Sequence, residues 1–242
     1  MSLSHPAPTP AMILAAGRGM RMRPLTDTTP KPLLPVQGRP LMQWSMDALA
    51  RGGFHQMVIN TAWLGEQIEA HFSAWPQQHE GTALCFSHEG QDFGYALETA
   101  GGISRALPLL GEVFWVLAGD VYAPAFQFTQ ASVDRFVASG MLAHLWLVPN
   151  PTHNPEGDFG LSEDGRALNE APVKFTYSTI GLYRRALFEL PWFDTVPGNP
   201  QGTAAPLAPL LRRAMDAGRV SAELYTGPWT DVGTPERLQE LG

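Results

Sequence analysis

The chain has 242 residues, 44% of them hydrophobic, with 16 Lys plus Arg against 23 Asp plus Glu, a formal net charge of −7 and a single cysteine. The acidic balance excludes a general nucleic-acid binder, which needs a basic face for phosphate backbones, and the lone Cys85 excludes an intrachain disulfide. The length suits one large α/β unit with a substantial core, and no apolar run reaches the ~18 residues that a bilayer span requires.

Residues 1–10, MSLSHPAPTP, lack the basic and apolar regions of a signal peptide and read as a disordered leader. Residues 11–242 read as a single domain, cytoplasmic, without nucleic-acid or membrane partners, and a monomer or small homo-oligomer. Met12 to Ala16 is a short apolar run that suits a buried strand. It breaks at Gly17 and Gly19, which lack a Cβ and so let backbone N–H groups approach a ligand. Arg18, Arg21 and Arg23 stud the loop, and Lys31 follows between Pro30 and Pro32, whose fixed φ makes a stiff strap for the ammonium. A cationic stretch in an acidic chain suits a small polyanion, and we read it as a triphosphate-binding loop. It is neither a G-x-x-x-x-G-K-[ST] loop nor a dinucleotide fingerprint, because no third glycine follows.

Leu41, Trp44, Ser45, Ala48 and Leu49 keep helical spacing until Gly52-Gly53. Met57 to Ile59 then reads as a strand, Leu64, Ile68 and Phe72 as a helix face, and Ala83 to Phe86 as a strand with Cys85 an ordinary buried thiol. Thr99 to Leu107 can form a helix although Gly101 and Gly102 cost about 1 kcal/mol each, so a close approach of ligand or chain is expected there. Val113 to Leu117 is continuously apolar, as a central strand covered on both faces should be, and leads into Gly119-Asp120. Phe128 to Ser139 reads as a helix, Leu142 to Val148 as a strand, Phe159 to Leu168 as a hairpin, and Phe175 to Tyr183 as a strand. The tract 196–206, VPGNPQGTAAP, has the composition of a mobile loop. Pro206 to Ala217 is a helix with Leu207, Leu210, Leu211 and Ala214 on one side, Ala222 to Tyr225 a strand, and Trp229 to Gly233 a turn. Thr234 and Pro235 start a final short helix.

Asp120 ends a strand where open α/β sheets bind ligands, and with Asp231 it could offer oxygens to Mg²⁺ beside phosphates. An aspartate in such a place can equally be a solvated or capping residue. His153 reads as a plain loop residue, and the aromatics read as core.

Gly17, Gly19, Arg21, Pro24-Leu25-Thr26 and Pro30-Lys31-Pro32-Leu33-Leu34-Pro35 together form a G-x-G-x-R, P-L-T, P-K-x-L-x-P pattern, and Trp229 to Thr234 reads W-T-D-V-G-T. In these stretches the chain resembles the sugar-phosphate nucleotidyltransferases, with Met20 where most members carry threonine. The resemblance implies a Rossmann-like three-layer α/β/α fold with a mixed, mostly parallel sheet. It implies Asp120 and Asp231 as ligands of Mg²⁺, Arg21 as a clamp on the triphosphate, and Lys31 as a clamp on phosphate. It places the base against Ala15, Gly17, Gly19, Glu89 and Thr99, where Thr99 could instead cap its helix. The sugar phosphate would meet Lys31, Gly157, Asp158, Glu170, Ser178 and Thr179, the last standing where many members have glycine.

The implied reaction is attack of a sugar 1-phosphate oxygen on the α-phosphorus of UTP, releasing pyrophosphate and giving a UDP-sugar. A phosphate monoester is already ionised near neutral pH, so no general base is needed. Smaller matches, such as Leu97-Glu98-Thr99-Ala100-Gly101-Gly102 and Ala62-Trp63-Leu64-Gly65, imply N-acetylmuramic acid 1-phosphate as the sugar and a place in peptidoglycan recycling. Mannose 1-phosphate with GTP, glucose 1-phosphate with UTP or dTTP, and a catalytically silent nucleotide-sugar-binding regulator are the alternatives.

Overall fold

The computed structural model describes residues 9–242. Of the leader expected over residues 1–10, only Thr9 and Pro10 fall among them. Pro10 is buried and its carbonyl accepts the Trp115 N–H at 3.0 Å, so that position is tied to the sheet and not disordered.

Seven strands form the central sheet, in the spatial order Val220–Leu224, Ala143–Val148, Thr176–Arg184, Val113–Ala118, Ala11–Leu14, Gln56–Thr61 and Ala83–His88. Thr176–Arg184 runs antiparallel to both of its neighbours, and every other adjacent pair is parallel. This is the mixed, mostly parallel sheet expected. Successive side chains of Val113–Ala118 point to opposite faces. Phe114 and Val116 pack with Met12, Ile103 and Leu211 on one side, while Trp115 and Leu117 pack with Ile13, Met46 and Trp146 on the other. Burial on both faces explains the unbroken apolar run, and each of Phe114, Val116 and Leu117 contributes about 1.5–3 kcal/mol by leaving water.

The helices follow their sequence signals. Leu41–Arg51 ends at Gly52, Gln130–Ser139 is capped by Thr129, whose hydroxyl accepts the Ser132 N–H at 3.2 Å, and Pro235–Gln239 starts at Thr234 with proline in its first turn. In Glu98–Ala106 the two glycines have the close approach that their cost demands. A Cβ on Gly101 would strike the Thr203 carbonyl, and one on Gly102 would lie 2.5 Å from Glu89 Oε1. At Gly101 the approaching chain is the tract 196–206, so the mobile loop expected there is instead stapled down. Ala205 accepts the Ala100 N–H at 2.9 Å and donates to Leu97 at 3.0 Å, and buried Asn199 donates to the Gly101 carbonyl at 3.1 Å.

Cys85 corrects a second expectation. Its strand, Ala83–His88, is at the sheet edge, and period-two alternation turns Leu84 and Phe86 inward and the thiol outward, where it is exposed. The turn expected at Trp229 to Gly233 contains a two-residue strand, Thr230–Asp231, paired antiparallel with Val121–Tyr122. Among the described residues, no helix is long and apolar enough to cross a membrane.

The chain order sets the place of the site. From Ala11–Leu14 the next two strands extend the sheet to one side, and Val113–Ala118 then returns to the other side of that first strand. The strand order therefore reverses between these two, and their carboxyl ends carry the glycine loop and Asp120.

Candidate active site

A cavity of about 700 Å³ opens at this switch point. Of the residues singled out above, Ala15, Gly17, Gly19, Lys31, Glu89, Thr99, Asp120, Asp158 and Thr179 line it, whereas Arg21, Gly157, Glu170, Ser178 and Asp231 do not.

The glycine loop is braced from behind. Gly19 sits at φ +66°, where an L side chain is strained, and a Cβ there would lie 3.0 Å from the Thr26 methyl. The Thr26 hydroxyl donates to the Gly19 carbonyl at 2.8 Å. Arg18 does not reach for a ligand: its guanidinium stacks 3.7 Å over Trp63 and donates to the Thr26 carbonyl and to Asp27, each at 2.8 Å. Arg18, and after it Arg23, hold the Asp27 carboxyl below its ordinary range.

Glu89 lines the cavity, but both of its oxygens are engaged. Oε1 accepts from Asn60 Nδ2 at 2.7 Å and Oε2 from the Leu97 N–H at 2.7 Å, while Asn60 Oδ1 accepts the Ala15 N–H at 2.8 Å. A buried relay thus joins the start of the glycine loop to the entry of the helix Glu98–Ala106. Burial pushes the Glu89 carboxyl above its ordinary pKa, against these hydrogen bonds. Thr99 is the second residue of that helix, with Leu97 at the cap position, so the capping alternative fails, and Thr99 lines the cavity.

Asp120 leaves the central strand and its Oδ2 pairs with Lys31. Asp231 lies on the adjoining short strand, and the next residue, Val232, donates its N–H to the Asp120 carbonyl at 2.9 Å. Asp231 Oδ1 accepts from Arg237 Nη1 at 2.6 Å and lies 2.8 Å from His153 Nε2. His153 is therefore not a plain loop residue. Arg21 is exposed and lies over the same turn, its Nη2 3.3 Å from where a Gly233 Cβ would stand. Two carboxylates on adjoining strands are hard oxygen donors of the kind a divalent cation takes, and each is paired here with a basic side chain that a cation would have to displace, Asp120 with Lys31 and Asp231 with Arg237. Among the described residues no three His, Cys, Asp or Glu side chains come together, so phosphate and water oxygens would complete its shell.

At the other end, Asp158 Oδ2 accepts the Tyr177 N–H at 2.8 Å and Asn154 Nδ2 at 3.3 Å. Gly157, at φ +66°, shapes this turn, because a Cβ would come 2.8 Å from Asn150 Oδ1. Thr179 lines the cavity from an irregular stretch of Thr176–Arg184. It sits at φ +63°, and its hydroxyl is buried without a partner among the described residues. Ser178 builds that irregularity: its buried hydroxyl donates to the Trp146 carbonyl at 2.6 Å and accepts the Ile180 N–H at 3.1 Å. Glu170 points away, exposed and paired with Lys174 at 2.9 Å, which holds its carboxyl below the usual range. Asn60 and Arg212 line the cavity and escaped the sequence reading. Arg212 falls outside the apolar stripe Leu207, Leu210, Leu211 and Ala214 of its helix and belongs to none of the motifs.

The sequence pattern of the nucleotidyl transferase family matches residues 10–242. The N-acetylmuramate alpha-1-phosphate uridylyltransferase of Neisseria meningitidis serogroup B is 47% identical over 238 residues, covering 95% of this chain and 95% of its own length. The Caulobacter vibrioides protein of the same name is 32% identical, with 95% of this chain and 94% of the other covered. Among solved structures, a Bacillus anthracis protein crystallised with sucrose, and provisionally assigned as a glucose-1-phosphate thymidylyltransferase, superimposes with a TM-score of 0.78. At 18% identity over 96% of this chain and 93% of that one, the likeness is one of fold.

Proposed function

The chain belongs to the nucleotidyl transferase family, and from that premise we propose that it transfers a uridylyl group from UTP to N-acetylmuramic acid 1-phosphate, giving UDP-N-acetylmuramic acid and pyrophosphate. The reaction would return a cell-wall amino sugar to use. What carries the reading is the convergence of the glycine loop, Lys31 and Asp120 on one cavity, next to the strand that bears Asp231. That convergence supports phosphate chemistry, and the relative at 47% identity supports the base and the sugar.

In this reading both substrates are anions that repel, so the protein neutralises and aligns them. Backbone N–H groups of residues 16–19 hold the triphosphate, and the relay through Asn60 and Glu89, which takes the Ala15 N–H, keeps Ala15 in register with the base. Lys31 holds phosphate at the reacting end. A sugar-phosphate oxygen forms the new bond to the α-phosphorus as the bond to pyrophosphate breaks, and no protein group needs to take a proton. Asp120 and Asp231 would hold Mg²⁺, whose charge offsets that of the reacting phosphates.

The test is pyrophosphate release with Mg²⁺, using UTP, GTP and dTTP against the 1-phosphates of N-acetylmuramic acid, N-acetylglucosamine, glucose and mannose. Selective release from UTP with the muramic substrate supports the proposal. Preference for another pair replaces the substrate, and no release with any pair refutes the enzyme reading.

A further inference from the structure

We propose that Arg212 selects sugar 1-phosphates that carry a carboxylate, by pairing with that carboxylate. The inference rests on the reading above that the cavity takes a sugar 1-phosphate beside UTP.

Among the described residues, the basic side chains lining the cavity are Lys31 and Arg212. Lys31 stands beside Asp120 at the end where the phosphates react. Arg212 has no carboxylate bound to it: its guanidinium lies 5.2 Å over the Phe159 ring, and Nη1 donates to Asn169 Oδ1 at 2.5 Å. Those two contacts fix the plane of the fork, and the remaining N–H groups have no acceptor on the described residues. A planar fork with open donors matches a carboxylate in two-point geometry, and an ammonium would not.

The surroundings strengthen such a pair. Leu207, Ala208 and Leu211 lie on the same helix and line the cavity with Arg212, so one helical face brings an apolar wall and a cation together. Phe159 completes this wall. A charge pair against apolar surface is screened less than one in open solvent. The helix begins at Leu207, directly after the tract that is stapled to Glu98–Ala106, so Arg212 is held at a set distance from the base side.

No nearby acid is bound to it directly, although Arg212 adds to the pull of Lys174 on the Glu170 carboxyl. Asp158 accepts the Tyr177 N–H and Asn154, and Glu170 is exposed and bound by Lys174. A sugar whose phosphate sits by Lys31 and whose ether-linked carboxylate extends along the Phe159 wall would meet the open side of Arg212. An uncharged sugar of equal size would leave that cation without a partner.

The experiment measures kcat/KM with UTP for N-acetylmuramic acid 1-phosphate, its carboxamide and N-acetylglucosamine 1-phosphate, in the wild type, Arg212→Gln and Arg212→Lys. Thermal melting checks that each variant is folded. The expected result is an acid-over-carboxamide preference in the wild type that falls about 10- to 100-fold in Arg212→Gln, mostly through KM, as loss of charge-assisted hydrogen bonds should produce. Arg212→Lys should restore part of it. An unchanged ratio in Arg212→Gln, or a wild type indifferent to the carboxylate, overturns the inference while uridylyl transfer stands. Failure of the wild type to release pyrophosphate with any of the three sugars refutes the parent reading and this inference with it.

Discussion

Replacing Asn60 by alanine isolates the relay that sets the position of the glycine loop. Asn60 makes two buried hydrogen bonds, accepting the Ala15 N–H at 2.8 Å and donating to Glu89 at 2.7 Å. Alanine leaves a backbone donor and a carboxylate oxygen without partners, in a place where water has little access. A neutral buried group left unpaired costs about 1–3 kcal/mol and a charged one more, so the variant should lose about 3–5 kcal/mol. That is a large share of the roughly 5–15 kcal/mol that holds a domain folded. Because Ala15 opens the loop, the KM for UTP should rise more than the KM for the sugar phosphate. Asn60→Asp gives a sharper control: it keeps an acceptor for Ala15 but sets a second carboxylate against Glu89, so its deficit should grow as pH rises. Urea denaturation followed by intrinsic tryptophan fluorescence, with initial rates in parallel, measures both effects. A stability loss below about 1 kcal/mol together with an unchanged KM for UTP would refute the relay.

Thr179→Gly should raise the melting temperature, because a β-branched residue at φ +63° and an unpartnered buried hydroxyl both disappear; such backbone strain costs about 1–3 kcal/mol. The same variant should accept bulkier sugars, and a lowered melting temperature would contradict the strain. Asp120→Asn and Asp231→Asn should each lower kcat by about 100-fold or more with the melting temperature nearly kept, and near-normal turnover in either would sink the metal assignment. Lys31→Ala should damage sugar-phosphate use more than triphosphate binding, which paired KM measurements decide. Burial raises the Glu89 carboxyl above 4.5, so its contribution to stability is fully present below that value and is lost as pH rises through the higher folded value. The stability difference between wild type and Glu89→Gln should therefore shrink from mild acid to neutral pH, and a difference that grows would reverse the assignment.

Local patterns carried much of the fold to the page. Val113 to Leu117 announced a central strand because both of its faces are covered, and the glycines of 101 and 102 announced a close approach because nothing else offsets their cost. The place of the glycine loop and Lys31 on the cavity was legible for a similar reason, since the glycines and the caged lysine lie close together in the chain, whereas Arg18 and Arg21 do not line it. What escaped was set by contacts across long sequence separations. Asn60 and Glu89 meet Ala15 only once three strands and a helix are assembled. Arg237 and His153 meet on Asp231 from positions far apart in the chain. Arg212 was invisible because its helix shows its apolar stripe to the core, and only the assembled fold reveals that a neighbouring face lines a cavity. Cys85 was misread because apolar neighbours on a strand point to the opposite face. The tract 196–206 was misread because a composition rich in Gly and Pro does not reveal the hydrogen bonds that staple it.

The most direct measurement is a crystal structure with UDP-N-acetylmuramic acid and Mg²⁺ bound. The account predicts a cation held between the Asp120 and Asp231 carboxylates and the diphosphate, the uracil against residues 15–17, and the sugar carboxylate on Arg212. Product seated elsewhere, or a cation bound without either aspartate, would contradict it.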